Sequence, residues 1–197
     1  MLDAWQTWPG NMLLLAGEPG SGKTHLAHIW AVDTGAQFVE AIDLMQGAVP
    51  ELAAEGRVVV ERVDAIQDMT QSERAERERA LFHLYNLLRS EGGTLLLTSR
   101  VEPAHMRTDL ADLASRLGAL TLIRLGAPDD DLLTAVLTKL FADRQIVYAK
   151  TLIPYLVTRM DRSLSEAQRI VVSLDAAAWT RKKALTVQLA KDVLGWG

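Results

Sequence analysis

The eight residues from Gly17 to Thr24 constrain the fold of this chain more than any other stretch. They read Gly-Glu-Pro-Gly-Ser-Gly-Lys-Thr, follow the apolar run 12–16 and lead into a helical pattern over 24–30. In the pattern G-x-x-x-x-G-K-T, glycines let successive backbone N–H groups turn toward phosphate oxygens at a helix N-terminus, where the helix dipole favours negative charge. The stretch therefore predicts a strand, a phosphate-binding loop and a helix.

Two side chains of this loop have expected roles in holding a magnesium nucleotide. Lys23 is expected to reach the β- and γ-phosphates, and Thr24 to place its hydroxyl on Mg²⁺, which prefers oxygen ligands. The alternative is a chance match in a glycine-containing loop. We favour the phosphate-binding loop because every fixed position of the motif is matched, and because a strand pattern precedes it and a helix pattern follows it.

Composition excludes several other classes of protein. The chain has 197 residues, 49% of them apolar, which is enough for a core in one domain with a small appendage. The absence of cysteine excludes disulfides, cysteine-ligated zinc and thiol nucleophiles. A net charge of −4 argues against a large non-specific DNA-binding face. With neither a signal-peptide pattern nor an apolar run of about 18 residues, we expect a cytoplasmic protein without a membrane span.

Apolar β-type runs alternate with helical patterns in the first two thirds of the chain. This order predicts a parallel three-layer α/β sheet with the ligand at the carboxyl ends of the strands. The predicted strands are 12–16, 36–40, 57–61, 94–98 and 120–124. From Pro128 only amphipathic helices are predicted, so we place a boundary there, with a nucleotide-binding domain over 1–127 and a helical lid over 128–197.

Three local patterns refine the helices. Thr70 and Glu73 form a predicted capping box, as do Ser163 and Glu166. The run 73–79 mixes acidic and basic residues at helical spacing and is predicted to be a solvated face.

The ends of the third and fourth strands supply candidate catalytic groups. Glu61 ends the third strand, where a magnesium-binding carboxylate is expected, but Arg62 follows and cannot accept a proton from water. The direction of Asp64 is left open. We infer that this chain alone hydrolyses nucleotide slowly or not at all. Thr98 or Ser99 could touch the γ-phosphate or the attacking water, or could instead cap the end of the strand.

Three arginines could act on phosphate. Arg116 precedes the fifth strand, from where an arginine can project toward a neighbouring subunit's nucleotide; a surface arginine is the alternative. Arg162 opens a predicted lid helix and could reach the phosphates across the cleft. Arg169, two turns on, is expected on the outer face of that helix or at an interface.

Several motifs together resemble the AAA+ ATPases of the replication-initiator clade, and within it the Hda-like (HdaA-like) regulators related to DnaA. The segment 17–26 resembles the Walker A motif of that clade, and 96–100 its sensor 1. Residues 112–117 resemble the segment that carries its arginine finger. Residues 161–167 resemble its sensor 2, and 184–194 resemble the terminus of Hda-like proteins.

The resemblance implies a fold and a set of site residues. The fold is a five-stranded parallel AAA+ sheet in the order 5-1-4-3-2 with a C-terminal helical lid. Glu61 is implied as Walker B and, with Thr24, as the Mg²⁺ ligands, Ser99 as sensor 1, Arg162 as sensor 2 and Arg116 as the finger. ADP or ATP is the implied ligand, and its implied contacts are Gly17, Pro19, Gly20, Ser21, Gly22, Lys23, Thr24, His25 and Arg162.

The resemblance also implies a partner and a role. Hda-like proteins carry nucleotide and present the finger to ATP-bound DnaA, whose ATP hydrolysis they promote, so replication initiation is negatively regulated. The sequence ends at Gly197 without a helix-turn-helix, and we therefore expect no sequence-specific DNA binding. No Gln- and Leu-containing peptide precedes Trp5. In Hda-like proteins this peptide docks on the sliding clamp of the replisome, and the same segment helps to enclose the adenine base. Both functions are therefore open for this chain. Whether it forms a homodimer is also open.

Two other functions remain compatible with the sequence. One is a self-assembling ATPase of the helicase-loader or remodelling type, in which Arg116 completes the site of another copy. The other is a binding module that has lost productive nucleotide binding, as Arg62 suggests. Concentration-dependent hydrolysis would indicate the first, and failure to bind adenine nucleotide the second.

Overall fold

The computed structural model describes residues 2–181 and 185–196, so Ala184, the first residue of the terminal motif, lies outside the described part. The chain divides into two compact units: an α/β unit, Met1–Glu18 and Gly22–Leu125, and a helical unit, Pro19–Ser21 and Gly126–Gly197. No helix in the described ranges is both long and apolar enough to cross a membrane.

The α/β unit alternates strands with helices, as the sequence predicts. Its strands are β1 (Met12–Gly17), β2 (Gln37–Glu40), β3 (Arg57–Glu61), β4 (Thr94–Ser99) and β5 (Thr121–Leu125). Its α-helices are α1 (Lys23–Thr34), α2 (Val49–Ala54), α3 (Gln71–Glu91) and α4 (Ala111–Gly118).

The five strands form one parallel sheet in the order β2-β3-β4-β1-β5. This confirms the predicted order. Because all the strands are parallel, their carboxyl ends meet at one edge of the sheet, where the loop after β1 also begins.

Alternation along the strands gives the sheet two buried faces. Leu14 and Leu97 pack in one cluster with residues of α3 and α4, whereas Leu13 and Leu96 pack in another with residues of α1. Trp8 stacks on Trp30 in this second cluster, with ring centroids 5.4 Å apart. Burying each of these leucines stabilises the folded state by about 1.5–3 kcal/mol relative to leaving its side chain exposed.

The helical unit is built around a separate core. Phe141, Leu156 and Leu174 are fully buried in it. Its α-helices, within the described residues, are α5 (Asp130–Asp143), α6 (Leu152–Val157), α7 (Leu164–Arg181) and α8 (Val187–Leu194). The capping box at Thr70 and Glu73 is confirmed on α3. The one at Ser163 is half formed: its hydroxyl accepts the Glu166 N–H, but the Glu166 carboxylate binds Arg169.

The prediction of a solvated face over 73–79 is wrong for part of the run. Glu78 is 3% exposed, and its carboxylate accepts the backbone N–H groups of Asp109 and Leu110. Arg77 donates from Nε to the carbonyl of Ile42 at 2.7 Å. These partners lie more than 30 residues away, so the spacing within the helix could not reveal them.

Candidate nucleotide-binding site

The phosphate-binding loop joins β1 to α1 at the carboxyl edge of the sheet. α1 begins at Lys23, and Gly22 before it has a φ of 97°. A non-glycine residue rarely adopts this left-handed conformation, so the sequence needs glycine at this turn. Thr24 and His25 lie exposed on the first turn of α1.

Lys23 is held against the start of the loop. Its Nζ donates to the carbonyl oxygens of Gly17 at 2.6 Å and Glu18 at 2.9 Å, and the residue is 6% exposed. Burial lowers the pKa of the Lys23 ammonium below its usual value, whereas the carboxylates of Glu61 and Asp64 act in the opposite direction. Phosphate oxygens at this place would compete with the two carbonyls for the N–H donors of Lys23.

Thr24 and Glu61, the two residues predicted to be magnesium ligands, are hydrogen-bonded to each other. The hydroxyl of Thr24 donates to Glu61 Oε1 at 2.5 Å across the gap between α1 and the end of β3. Glu61 is 2% exposed, and its Oε2 is buried without a hydrogen-bond partner. An unpaired buried carboxylate oxygen is costly, so a cation at this position would relieve it. The hydroxyl and carboxylate oxygens are the donor set that Mg²⁺ prefers.

The residue after Glu61 points away from these ligands. Arg62 has a φ of 55°, and its Nε lies 3.1 Å from Glu40 Oε2 on the neighbouring strand β2. Asp64 is buried and accepts the backbone N–H of Arg100 at 2.9 Å, so it holds the end of β4. Within the described residues, then, Glu61 supplies the carboxylate beside Thr24, whereas Asp64 is bonded to the β4 end.

The hydroxyls at the end of β4 bond backbone groups. Thr98 Oγ1 accepts the N–H of Arg62 at 2.9 Å and thereby fixes the left-handed turn after β3. Ser99 Oγ donates to the carbonyl of Val101 at 2.6 Å and accepts the Val101 N–H at 3.0 Å. Both residues are fully buried. In this arrangement they cap strand ends, the alternative that the sequence left open.

A cavity of about 350 Å³ lies at the carboxyl ends of β1, β4 and β5. A bidentate ion pair lines it, in which Arg124 donates to Glu102 at 2.6 and 2.7 Å. Arg100 lines it too, and its charge acts in the same direction as burial, which is the main cause of the lowered pKa of Lys23. The lining residues are Ala16, Gly17, Glu18, Arg100, Val101, Glu102, His105, Arg124 and Leu125.

Arg116 lies on the last turn of α4 with its side chain exposed. Its guanidinium carbon is 5.9 Å from the centroid of the Tyr85 ring, at the limit of a cation–π contact. Among the residues that the structure describes, Arg116 forms no ion pair. No carboxylate of the described residues therefore neutralises its charge.

Arg162 and the tip of the loop belong to the helical unit. Arg162 binds Asp130 at 2.8 Å and donates to the carbonyl of Pro128 at 3.4 Å. Gly20 accepts the N–H of Leu164 at 2.8 Å, and a Cβ added to it would lie 1.9 Å from Ser163 Oγ. Glycine at this position is thus required by close approach as well as by its φ of 78°. Arg169 is exposed and pairs with Glu166 on its own helix.

The sequence predicted no individual role for two residues, Arg100 and Glu78, whose side chains make specific contacts in the structure. Arg100 follows the predicted strand 94–98, and its position one residue after Ser99 was the available signal. Glu78 stood inside a charge run that looked solvated, and no local pattern distinguished it from its neighbours.

No protein family model matches the chain. The sheet order, the loop and the helical unit define the fold of an AAA+ domain. The structure of the AAA domain of FIGL-1 in complex with ADP shares this fold, with a TM-score of 0.73 and 15% identity, covering 95% of this chain and 72% of that one. A structure of katanin self-assembly gives a TM-score of 0.72 at 14% identity, covering 98% and 76%.

Within this fold, the chain is similar to the AAA+ domain of DnaA. Domain III of the Thermotoga maritima replication initiation protein DnaA superposes with a TM-score of 0.82 at 18% identity, covering 98% of this chain and 88% of that one. AMPPCP-bound DnaA from Aquifex aeolicus gives 0.68 at 17% identity, covering 91% and 61%.

Sequence comparison gives the same relationship. The chromosomal replication initiator protein DnaA of Flavobacterium psychrophilum is 25% identical over 200 residues, and that of Campylobacter jejuni 23% over 198. These alignments cover 93% of this chain but 41% and 44% of the two relatives. The chain therefore spans about two fifths of their length.

Proposed function

We propose that this protein binds an adenine nucleotide and stimulates ATP hydrolysis by DnaA through Arg116, as an Hda-like negative regulator of replication initiation. The observation that supports this proposal is the contrast between two of its arginines, Arg62 and Arg116. Arg62 occupies the position after Glu61 and pairs with Glu40, whereas Arg116 is exposed and without an ion-pair partner among the described residues. The chain is poorly equipped to activate water and well equipped to supply a cation to another molecule.

The nucleotide is proposed to be ADP or ATP with Mg²⁺. Lys23 would bind its β- and γ-phosphates, and Thr24 and Glu61 would hold the metal. The buried, unpartnered oxygen of Glu61 supports the metal position. The AMPPCP-bound DnaA structure supports the class of nucleotide. Arg162 and Ser99 keep their proposed roles as sensors, although Ser99 would have to exchange its bonds to Val101 for a bond to the ligand.

The metal assignment predicts the effect of replacing Glu61 with glutamine. The amide has nearly the same shape but one oxygen and no charge, so Mg²⁺ should lose about 1.5–3 kcal/mol of its stabilisation of bound nucleotide. Titration with a fluorescent ATP analogue should therefore show a Mg²⁺-dependent gain in affinity for the wild type and little gain for Glu61→Gln. In EDTA the two proteins should bind alike. An undiminished Mg²⁺ effect in the variant would contradict the assignment.

A self-assembling ATPase is the second candidate, and the similarity to the katanin self-assembly structure favours it. In that case Arg116 would complete the nucleotide site of another copy. The regulator differs in requiring DnaA as the molecule on which ATP is hydrolysed.

One experiment separates the two functions. ATP hydrolysis is measured with the protein alone over a wide concentration range, and again with DnaA of the source organism. The regulator predicts negligible turnover alone and added hydrolysis only with DnaA. Turnover that rises more steeply than concentration without DnaA indicates self-assembly. Arms with and without the sliding clamp and DNA show whether either is required. Failure to bind ATP or ADP at all would indicate a nucleotide-independent binding module.

A further inference from the structure

We propose that Glu78 is a positioning residue for Arg116: its buried carboxylate fixes the start of α4 and so aims the finger at the partner's nucleotide. This inference rests on the proposed function. It concerns a residue on α3 that lies outside the phosphate-binding loop and its metal ligands.

The segment before α4 depends on side chains for its hydrogen bonds. Glu78 Oε2 accepts the N–H of Leu110 at 2.9 Å, and both of its carboxylate oxygens lie 3.1 Å from the N–H of Asp109. Arg107 N–H donates to Gln67 Oε1 at 3.3 Å. Leu110 is the N-cap residue of α4, and no side chain of its own caps the helix.

Glu78 therefore holds the backbone of the two residues that lead into α4. A carboxylate at a helix N-terminus is favoured by the helix dipole and satisfies N–H groups that would otherwise be unpaired. An ion pair closes the same junction, because Arg74 Nη2 lies 2.6 Å from Asp109 Oδ2. Arg74 and Glu78 are four residues apart and share one face of α3.

The other end of α4 is contacted from the same helix. Tyr85 follows Glu78 by seven residues, two turns along α3, and its ring lies under the guanidinium of Arg116. The buried residues Leu113 and Leu117 pack α4 into the core shared with α3. α3 thus holds the residues just before α4 through Glu78 and contacts the Arg116 side chain through Tyr85.

This arrangement matters because an arginine finger is sensitive to placement. A displacement of about 1 Å can cost on the order of 10²-fold in rate. A positioning role predicts that losing Glu78 lowers the rate on the partner's ATP at saturation, while nucleotide binding by this chain and affinity for the partner remain.

The decisive variant is Glu78→Gln, compared with Glu91→Gln on the exposed end of the same helix. A glutamine presents an amide N–H₂ where one carboxylate oxygen had accepted a backbone N–H. Hydrolysis by ATP-loaded DnaA is titrated with each protein to obtain the maximal rate and the concentration for half-maximal stimulation. We expect the maximal stimulation of Glu78→Gln to fall by about tenfold or more, with an unchanged half-maximal concentration, and Glu91→Gln to match the wild type.

A second pair of variants, at Tyr85, tests the same contact between α3 and α4 in case Glu78→Gln does not fold. Tyr85→Phe keeps the ring beneath Arg116, whereas Tyr85→Leu removes it and keeps the site apolar. We expect a lower maximal stimulation for Tyr85→Leu alone. An unchanged maximum in a folded Glu78→Gln would overturn the inference whatever Tyr85→Leu shows. If Glu78→Gln does not fold, an unchanged maximum in Tyr85→Leu would overturn it, as would a shift confined to the half-maximal concentration.

Hydrogen exchange of the wild-type protein tests the junction without any substitution. The amides of Asp109 and Leu110 should exchange slowly, because Glu78 holds both. Fast exchange at both amides would overturn the inference even if the protein stimulates DnaA. Conversely, slow exchange in a protein that does not stimulate DnaA would refute the proposed function, not the junction.

Discussion

Replacing Lys23 with alanine is expected to abolish measurable binding of ATP and ADP. Lys23 is the cation placed at the phosphate-binding loop, beside Thr24 and Glu61. A charged hydrogen bond to phosphate is worth about 1.5–3 kcal/mol, and Lys23 would make at least two. Their loss should weaken binding by on the order of a hundredfold or more. Isothermal titration with each nucleotide in Mg²⁺ measures the effect.

Lys150→Ala is the matched control, because Lys150 is exposed and lies in the helical unit. It should bind nucleotide like the wild type. Thermal unfolding without nucleotide should accompany both variants, since Lys23 also bonds the carbonyls of Gly17 and Glu18. If Lys23→Ala folds normally and binds with wild-type affinity, the loop does not hold the phosphates.

Replacing Arg116 with alanine should leave nucleotide binding intact and remove the action on DnaA. The side chain is exposed on α4 and contacts the ring of Tyr85, so its removal disturbs little of the fold. An arginine finger supplied in trans contributes about 10³–10⁵ to the rate of phosphoryl transfer. The hydrolysis by DnaA in the presence of Arg116→Ala should therefore equal that of DnaA alone.

The control for Arg116→Ala is Arg89→Ala, which removes an exposed arginine from the last turn of α3. It should stimulate DnaA fully. Mixing Arg116→Ala with Lys23→Ala tests self-assembly, because in an assembly one variant keeps the finger and the other the nucleotide. Restored hydrolysis in that mixture without DnaA would favour the self-assembling ATPase, whereas none is expected of the regulator.

The sheet and the phosphate-binding loop were predictable because their signals are local. Val58, Val59 and Val60 form an uninterrupted β-branched run of the kind that a parallel sheet buries on both faces, and β3 occupies Arg57–Glu61 as predicted. The loop motif fixes its own strand and helix. The meeting of Thr24 with Glu61 then followed from the shared edge of parallel strands.

What the sequence could not supply were partners from distant segments. Glu78 looked like any other charge of a solvated run, and only the tertiary fold brings Asp109 and Leu110 to it. The sequence also could not predict the directions in which the side chains after the strand ends point. Asp64 accepts the backbone N–H of Arg100. Whether Ser99 contacts a ligand or caps the end of its strand depends on the short turn that brings the N–H of Val101 to its hydroxyl.

The proposed role of Arg116 is tested most directly by the fate of ATP already bound to DnaA. DnaA is loaded with radiolabelled ATP, freed of excess nucleotide and mixed with this protein in its own nucleotide-bound form. The ratio of ADP to ATP on DnaA is then followed in a single turnover. The account predicts faster conversion to ADP with the wild type and the unstimulated rate with Arg116→Ala. Equal rates with wild type, Arg116→Ala and no added protein, with and without the clamp and DNA, would contradict it.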